Sequence, residues 1–339
     1  MGEIRALPWN GRNVISTFSG GGGSSLGYRM AGCRVLLANE FIESARDCYR
    51  ANCSPSTIID ARDIRTVQGA ELLENVGLKA GELDILDGSP PCASFSISGK
   101  REKAWGKTKR YSDTTQRTDD LFFEYIRLID EMQPRAFVAE NVKGLVIGSA
   151  KGYFKQILRR MKASGYRVSA RVLNAAWLGV PQSRQRLIFI GFREDLGIDP
   201  VHPSPLPFQY TVRDAMPTDG FVEAESLSAG YAVGREWART KPGTSSDKYN
   251  NLCRASFDLP SPTVTTRGGD RSAASVMHPA ECRKFSLQEL RRICGFPDDF
   301  ALTGGFEKSW ERLGRAVPPV MMSHVARSVC ASLDAAGVK

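Results

Sequence analysis

The chain has 339 residues, of which 42% are hydrophobic and 24% charged, and 46 basic against 37 acidic residues give a net charge of +9. At roughly 150 residues per domain this suffices for two domains or one large α/β domain with an insertion, and it excludes a small stapled scaffold or a disordered chain. No apolar run approaches the roughly 18 residues of a membrane span and the N-terminal stretch lacks a long apolar segment, so a cytoplasmic protein with no membrane partner is expected.

In chain order, Asn13 to Phe18 reads as a strand, followed by a glycine-rich turn, a helix over 24–32, a strand over Arg34 to Glu40, a helix over 43–52 and a short strand near Thr57 to Asp60. Further units follow: a strand at Asp84 to Asp87, a helix over 119–132, the strand Ala136 to Val142, a helix over 151–164, and strands over Arg167 to Ala175 and Arg186 to Phe192. Strands alternating with helices predict an α/β fold with a mostly parallel, doubly wound sheet. From Asp199 to 281 the chain turns rich in Pro, Gly, Ser and Thr, the texture of a smaller loop-rich domain. Helical periodicity returns over Ser286 to Phe296 and Met321 to Leu333. The expected division is therefore 1–198, 199–281, and a segment 282–339 that returns to the first domain.

Eight cysteines at 33, 48, 53, 92, 253, 282, 294 and 330 form no Cys-x-x-Cys pair, and the three histidines are far apart, so free thiols and no metal site are expected. The basic balance favours a polyanionic partner. Phe18-Ser19-Gly20-Gly21-Gly22-Gly23 ends the first strand, where glycines allow a tight turn and close approach of a ligand to the main chain. Glu40, closing the second strand, can accept from two ribose hydroxyls, and Asp63 is a candidate for an adenine amino group; a solvated surface acid is the plainer reading of Asp63.

Gly88-Ser89-Pro90-Pro91-Cys92 sets a cysteine on a rigid turn at the carboxyl end of a strand, where open α/β sheets carry reactive groups, although most free cysteines are inert. Residues 99–110 follow with Lys100, Arg101, Lys103, Lys107, Lys109 and Arg110 against the single acid Glu102, either a cationic loop for an anionic polymer or a solvated charge run. Glu140 follows an apolar strand and is partly desolvated there, which suits proton donation. In Gln182-Ser183-Arg184-Gln185-Arg186, alternation in an extended segment would project Arg184 and Arg186 from one face, able to hold a carboxylate and a phosphate or base carbonyl.

In this order the motifs resemble those of the bacterial and phage DNA (cytosine-5)-methyltransferases over nearly the whole chain. FSGGGG is similar to the family's loop for S-adenosylmethionine, GSPPC to its Pro-Cys motif, ENV to its glutamate motif and QSRQR to its Q-x-R-x-R motif; SLQELRRICGFP and GRAVPP match its two late motifs. The resemblance implies Cys92 as nucleophile, Glu140 on cytosine N3 and N4, and Arg184 and Arg186 as active-site positioners. It implies cofactor contacts at Phe18, Gly20, Gly21, Gly22, Gly23, Glu40, Phe41, Asp63, Ile64, Pro91, Leu121 and Val317, and a DNA contact at Ser98 near a flipped-out base. Residues 199–281 correspond to the target recognition domain, in which Arg235, Arg239, Lys241, Lys248, Arg254, Arg267 and Arg271 are candidates for phosphate or guanine contacts.

Ala93 stands where the family has Gln, and Arg315 where it has Asn near the methionine end of the cofactor. A guanidinium there opposes a sulfonium unless it points away, and could favour a carboxylated cofactor. The implied activity is site-specific methylation of cytosine C5 in double-stranded DNA by a monomeric enzyme of the restriction-modification type. The alternatives are the same fold acting on RNA or with a modified cofactor, and a catalytically silent DNA-binding homologue.

Overall fold

The structure, a computed structural model, describes residues 1–91, 109–111, 114–116, 120–147, 150–218, 232–249, 251–270 and 275–338. They group into two compact units, one formed by Gly2–Leu173, Gln185–Ser204 and Met322–Lys339, the other by Met1, Asn174–Arg184 and Pro205–Met321. This differs from the expected division. Segment 282–321 belongs with the loop-rich unit, and the return to the sheet unit begins at Met322.

The sheet unit carries β1 (Asn13–Thr17), β2 (Arg34–Asn39), β3 (Ile58–Asp60), β4 (Ile85–Gly88), the two-stranded ribbon β5 (Lys109–Tyr111) and β6 (Thr114–Gln116), then β7 (Ala136–Val142), β8 (Tyr166–Asn174) and β9 (Gln185–Arg193). Seven of them form one sheet in the order β3-β2-β1-β4-β7-β9-β8. Pairing is parallel from β3 through β7 and antiparallel between β7 and β9. The central strands β1, β4 and β7 are buried along nearly their whole length because both of their faces are covered. The edge strand β8 exposes Arg167 and Arg171, charges that discourage pairing with another chain.

Helices α1 (Gly2–Ala6), α2 (Gly23–Met30), α3 (Glu43–Asn52), α4 (Gly69–Asn75), α5 (Leu121–Met132) and α6 (Lys151–Ala163) alternate with the strands. Ile15, Leu86, Phe137, Ala139 and Phe189 pack on one sheet face against Leu121, Phe122, Tyr125 and Ile129 of α5 and Ile157 of α6. On the opposite face, Ser16 of β1 and Ser24 of α2 both bond Asp87 of β4. Successive strand residues point to opposite faces, so helices cover both sides, as the doubly wound reading expects.

The loop-rich unit holds α7 (Val212–Ala215), α8 (Ala232–Arg239), the small sheet β10 (Thr244–Ser245), β11 (Cys253–Arg254) and β12 (Val276–Met277), then α9 (Leu287–Ile293), α10 (Phe306–Arg315) and the start of α11 (Pro319–Ala335). Its centre is Trp310, fully buried, whose indole N–H donates to the Thr265 carbonyl at 2.9 Å. Gly268 lies against that ring, and a Cβ there would meet it at 2.3 Å. The Ser286 hydroxyl and the Glu289 carboxylate close a capping box at the start of α9, and Glu289 also forks Arg283 at 2.7 and 2.8 Å. In the sheet unit, the Cys33 and Cys330 sulfurs lie 3.5 Å apart, both buried. All the described cysteines are free.

Gly191 of β9 sits under the ring of Phe137, where an added Cβ would lie 2.2 Å from a ring carbon. Gly191→Ala is expected to cost about 1–3 kcal/mol by overpacking. Urea denaturation of the variant, showing a lower midpoint with unchanged slope, checks this.

Candidate active site

The turn after β1 is built from left-handed backbone. Phe18, Gly20 and Gly22 have φ of 51°, 55° and 95°. For a bulky residue such as Phe18 that conformation is strained, and such strain gathers at functional sites. A Cβ on Gly22 would come within 3.1 Å of the Tyr49 ring, whereas one on Gly20 would meet nothing within 4 Å. Gly20 therefore opens onto free space along the main chain. Gly21 completes the turn and Gly23 begins α2, which carries no side-chain cap at its N-terminus.

The buried Glu40 carboxylate fixes this turn. Its Oε2 accepts from the Gly20 amide at 2.7 Å and its Oε1 from the Ile42 amide at 2.8 Å. The Glu40 amide donates to Asp60 O at 3.0 Å, joining the end of β3 to the same rim. Phe41 is 42% exposed beside Glu40. Asp63 accepts from the Arg65 amide at 3.0 Å and pairs with the Arg65 guanidinium, which reaches Asp120 on its other side at 2.9 Å. Ile64 and Leu121 are buried in the core beneath. The structure thus brings together Phe18, the glycine turn, Glu40, Phe41, Asp63, Ile64 and Leu121. Val317 belongs to the loop-rich unit, where it is buried.

At the end of β7, Glu140 meets Arg186 of β9, with Oε1 2.7 Å from Nε. The antiparallel register sets Arg186 opposite Val142, two residues along from Glu140, so both side chains share a face. Both are mostly buried, and burial lowers the Arg186 pKa while Glu140 opposes the shift. The Asn141 amide donates to Pro90 O at 3.1 Å, fastening the proline turn to β7. Pro91 is the last described residue of that turn. Cys92, Ser98, Lys100, Arg101 and Lys107 lie outside the described residues, as do Ala93 and Arg271. Lys109 opens the ribbon strand β5.

Arg184 and Arg186, expected to project together, take different partners. Ahead of β9, the Gln182 amide donates to Val180 O at 2.7 Å and the Arg184 amide to Gln182 O at 3.0 Å. Arg184 is 2% exposed, and its guanidinium donates to Val264 O at 3.1 Å and Gly314 O at 2.9 Å, bracing the loop-rich unit. Arg254 is also taken up internally, stacked 4.0 Å over Trp237 and donating to the Pro279 and Thr240 carbonyls. Arg235 and Arg239 are exposed one turn apart on α8, and Arg267 is exposed on the turn at Thr266–Gly269. Arg315 forks Glu311 one turn back on α10 at 2.8 Å, so its guanidinium is already balanced.

The profile of the C-5 cytosine-specific DNA methylases matches residues 12–331. The chain belongs to that family. Among its relatives, the type II methyltransferase M1.HphI of Haemophilus parahaemolyticus is 31% identical, with 93% of this chain and 86% of that protein aligned. M.Sau96I of Staphylococcus aureus is 29% identical, over 94% of this chain and 75% of the relative. Two crystal structures share the fold: a DNA modification methyltransferase candidate encoded within an E. coli prophage (TM-score 0.74, 21% identity, 95% of this chain and 99% of that one) and Dnmt2 methyltransferase of S. pombe (0.67, 15%, 96% and 99%).

In this methylase the sequence reading missed Asp87, which it took only as the end of a strand. The side chain is 1% exposed. Ser24 and Ser16 donate to its Oδ2 at 2.7 and 2.8 Å, while Oδ1 is buried with no hydrogen-bond partner among the described residues. Burial pushes the carboxyl from 3.8 up to about 6, with the Ser24, Ser16 and Tyr28 hydroxyls opposing and the Glu140 charge reinforcing the shift. The signal was present as hydroxyls at 16, 19 and 24 around an acid at a strand end, but only the pairing of β1 with β4 brings them together.

A carboxyl whose pKa is raised on folding favours the folded state while it is protonated. Its contribution is full below about pH 4 and is lost as pH rises through 6, a span worth about 3 kcal/mol. Asp87→Asn keeps an acceptor for the serines and removes the charge. It is expected to raise stability by about 1–3 kcal/mol near pH 7.5 and to flatten the loss between about pH 5 and 7. Guanidinium titrations at several pH values check both.

Proposed function

We propose that this family member methylates C5 of a flipped-out cytosine in double-stranded DNA, as a monomer, with Cys92 as the nucleophile. The observation that carries the reading is the Glu140–Arg186 pair on β7 and β9, adjoining a proline turn that Asn141 fastens at Pro90 and that leads directly into Cys92. Cytosine C5 is a poor nucleophile until a thiolate adds at C6, and the charge this drives into the ring is neutralised by a proton or strong hydrogen bond at N3. In the proposal Cys92 makes the C6 bond and Glu140 serves N3 and N4. Arg186 holds one Glu140 oxygen and so aims the other. Arg184 acts by bracing the segment that precedes β9.

The cofactor rim fits S-adenosylmethionine: Gly20 leaves main chain open where a side chain would stand, the Glu40 carboxylate at the end of β2 holds the turn through the Gly20 and Ile42 amides, and Phe41 offers an exposed ring beside it. When bound, S-adenosylmethionine supplies the methyl group. The target base must leave the duplex to be reached, at an unstacking cost of a few kcal/mol. Lys100, Arg101, Lys107, Lys109 and Ser98 are assigned to the DNA backbone near that base, and Arg235 and Arg267 to the target sequence. The type II relatives support a restriction-modification setting.

Cys92→Ser is expected to lower methyl transfer more than about 1,000-fold while DNA binding persists, and 5-fluorocytosine in the target should trap the wild-type enzyme as a covalent adduct on a denaturing gel. Glu140→Gln should lower the rate about 100-fold or more with cofactor affinity within about twofold. Turnover by Cys92→Ser within tenfold of wild type would falsify the nucleophile assignment. Neutralising Lys107 and Lys109 should weaken binding to every duplex alike, reducing the salt slope by about 1 per contact, whereas Arg235 or Arg267 substitution should cost about 1–3 kcal/mol of discrimination at one base position. Methylation profiling over a randomised duplex pool separates these outcomes.

A further inference from the structure

The Asp87 carboxylate is wired to the cofactor turn. Its Oδ2 holds Ser16 and Ser24, and the Ser19 hydroxyl, within the turn, reaches the Ser16 hydroxyl at 3.2 Å and the Ser16 carbonyl at 2.8 Å. The charged neighbour that bears on it is Glu140 of β7, which is itself paired with Arg186 of β9. The phenols around it are Tyr28 of α2, Tyr49 of α3 and Tyr125 of α5, and burial pushes all three up and keeps them neutral. No basic side chain among the described residues pairs with Asp87. A buried carboxylate without a cation, at the carboxyl end of the strand beside a ligand turn, presents a field that favours a positive ligand.

We propose that Asp87 is a positioning residue that makes this site prefer the cationic cofactor S-adenosylmethionine over its uncharged product S-adenosylhomocysteine. The inference rests on the cofactor reading given above. The two molecules differ by one methyl group and one positive charge, so a fixed negative charge acts on their difference. For unit charges about 10 Å apart in an effective dielectric of about 20, that difference is roughly tenfold in affinity. The preference aids product release after each transfer. It is also pH-dependent, because Asp87 takes up a proton as pH falls through about 6 and the field is then lost.

Calorimetric titration of the full chain, without DNA, with each ligand at about pH 8 and pH 5.5 tests this. Asp87 should add about tenfold to the preference for S-adenosylmethionine at pH 8 and about threefold at pH 5.5, where it is still partly ionised, so the ratio of the two affinities should be about threefold higher at pH 8. Asp87→Asn should lose that excess at both pH values while S-adenosylhomocysteine binding changes less than about twofold. Ser24→Ala, which keeps the charge, should leave the ratio at pH 8 at its wild-type value, and Glu140→Gln should retain the wild-type direction of pH dependence. A wild-type ratio that ignores pH, an Asp87→Asn variant that weakens both ligands equally, or loss of the pH effect in Glu140→Gln overturns the proposal while leaving the cofactor reading intact. Failure of the wild-type chain to bind either ligand overturns both. The wild-type pH comparison stands even if Asp87→Asn does not fold.

Discussion

Tyr125 can occupy its place only because residue 88 has no side chain. A Cβ on Gly88 would lie 2.4 Å from its ring and 2.8 Å from the Thr17 hydroxyl. In that space the Tyr125 hydroxyl lies 2.9 Å from the carbonyls of both Leu86 and Val138, gripping β4 and β7 from beneath. Thr17 reaches the Asp87 carbonyl at 3.0 Å and joins β1 to the same point. Three parallel strands therefore end level with one another. The glycine turn leaves one of them, the proline turn another, and Glu140 projects from the third. A shift at this junction would separate the glycine turn from the proline turn, so their spacing depends on the absence of one methyl group.

The same strand ends show how one residue type takes two chemical roles through its surroundings. Glu140 has a guanidinium within 2.7 Å, and its charge is matched. Asp87, one strand over, has only hydroxyls among the described residues, and no cation there matches its charge. Environments that treat two carboxyls so differently divide their work. In the proposed reaction the matched one meets a neutral base without leaving a buried charge behind it, and in the proposed cofactor preference the unmatched one acts at a distance, through its field.

The fold was legible where local pattern and tertiary burial agree. α3 runs over Glu43–Asn52 and β7 over Ala136–Val142, the spans that periodicity gives, because each presents a continuous apolar face. Helices α4, α8 and α10 went unread. α10 is as long as α3 but is flanked by Gly304-Gly305 and Pro318-Pro319, so turn residues mask its amphipathic stripe. The site was legible as motifs: the glycine turn, Glu40 and Glu140 sit at strand ends where an α/β sheet presents ligands. Two things were not legible. The paired arginines looked alike in sequence, yet their partners come from distant segments: Arg184 bonds the Val264 and Gly314 carbonyls, and Arg186 pairs with Glu140. Asp87 needs three separate segments to define its surroundings, and no window of sequence contains them.

Two local costs converge on this rim. Phe18 holds a left-handed backbone that costs a bulky side chain roughly 1–2 kcal/mol, and Asp87 carries a desolvated charge at neutral pH. A turn meant only to connect β1 to α2 needs neither, since glycine at 18 and a neutral amide at 87 would relieve both without changing the strand pairing. The core beneath, with Leu121, Tyr125 and Phe137 packed against the strands, is large enough to carry the penalty. Strain and unmatched charge at one place, on a scaffold otherwise well satisfied, mark where the structure yields stability to ligand chemistry. Phe18 points its main chain into the turn, and Asp87 sets the charge that the turn presents.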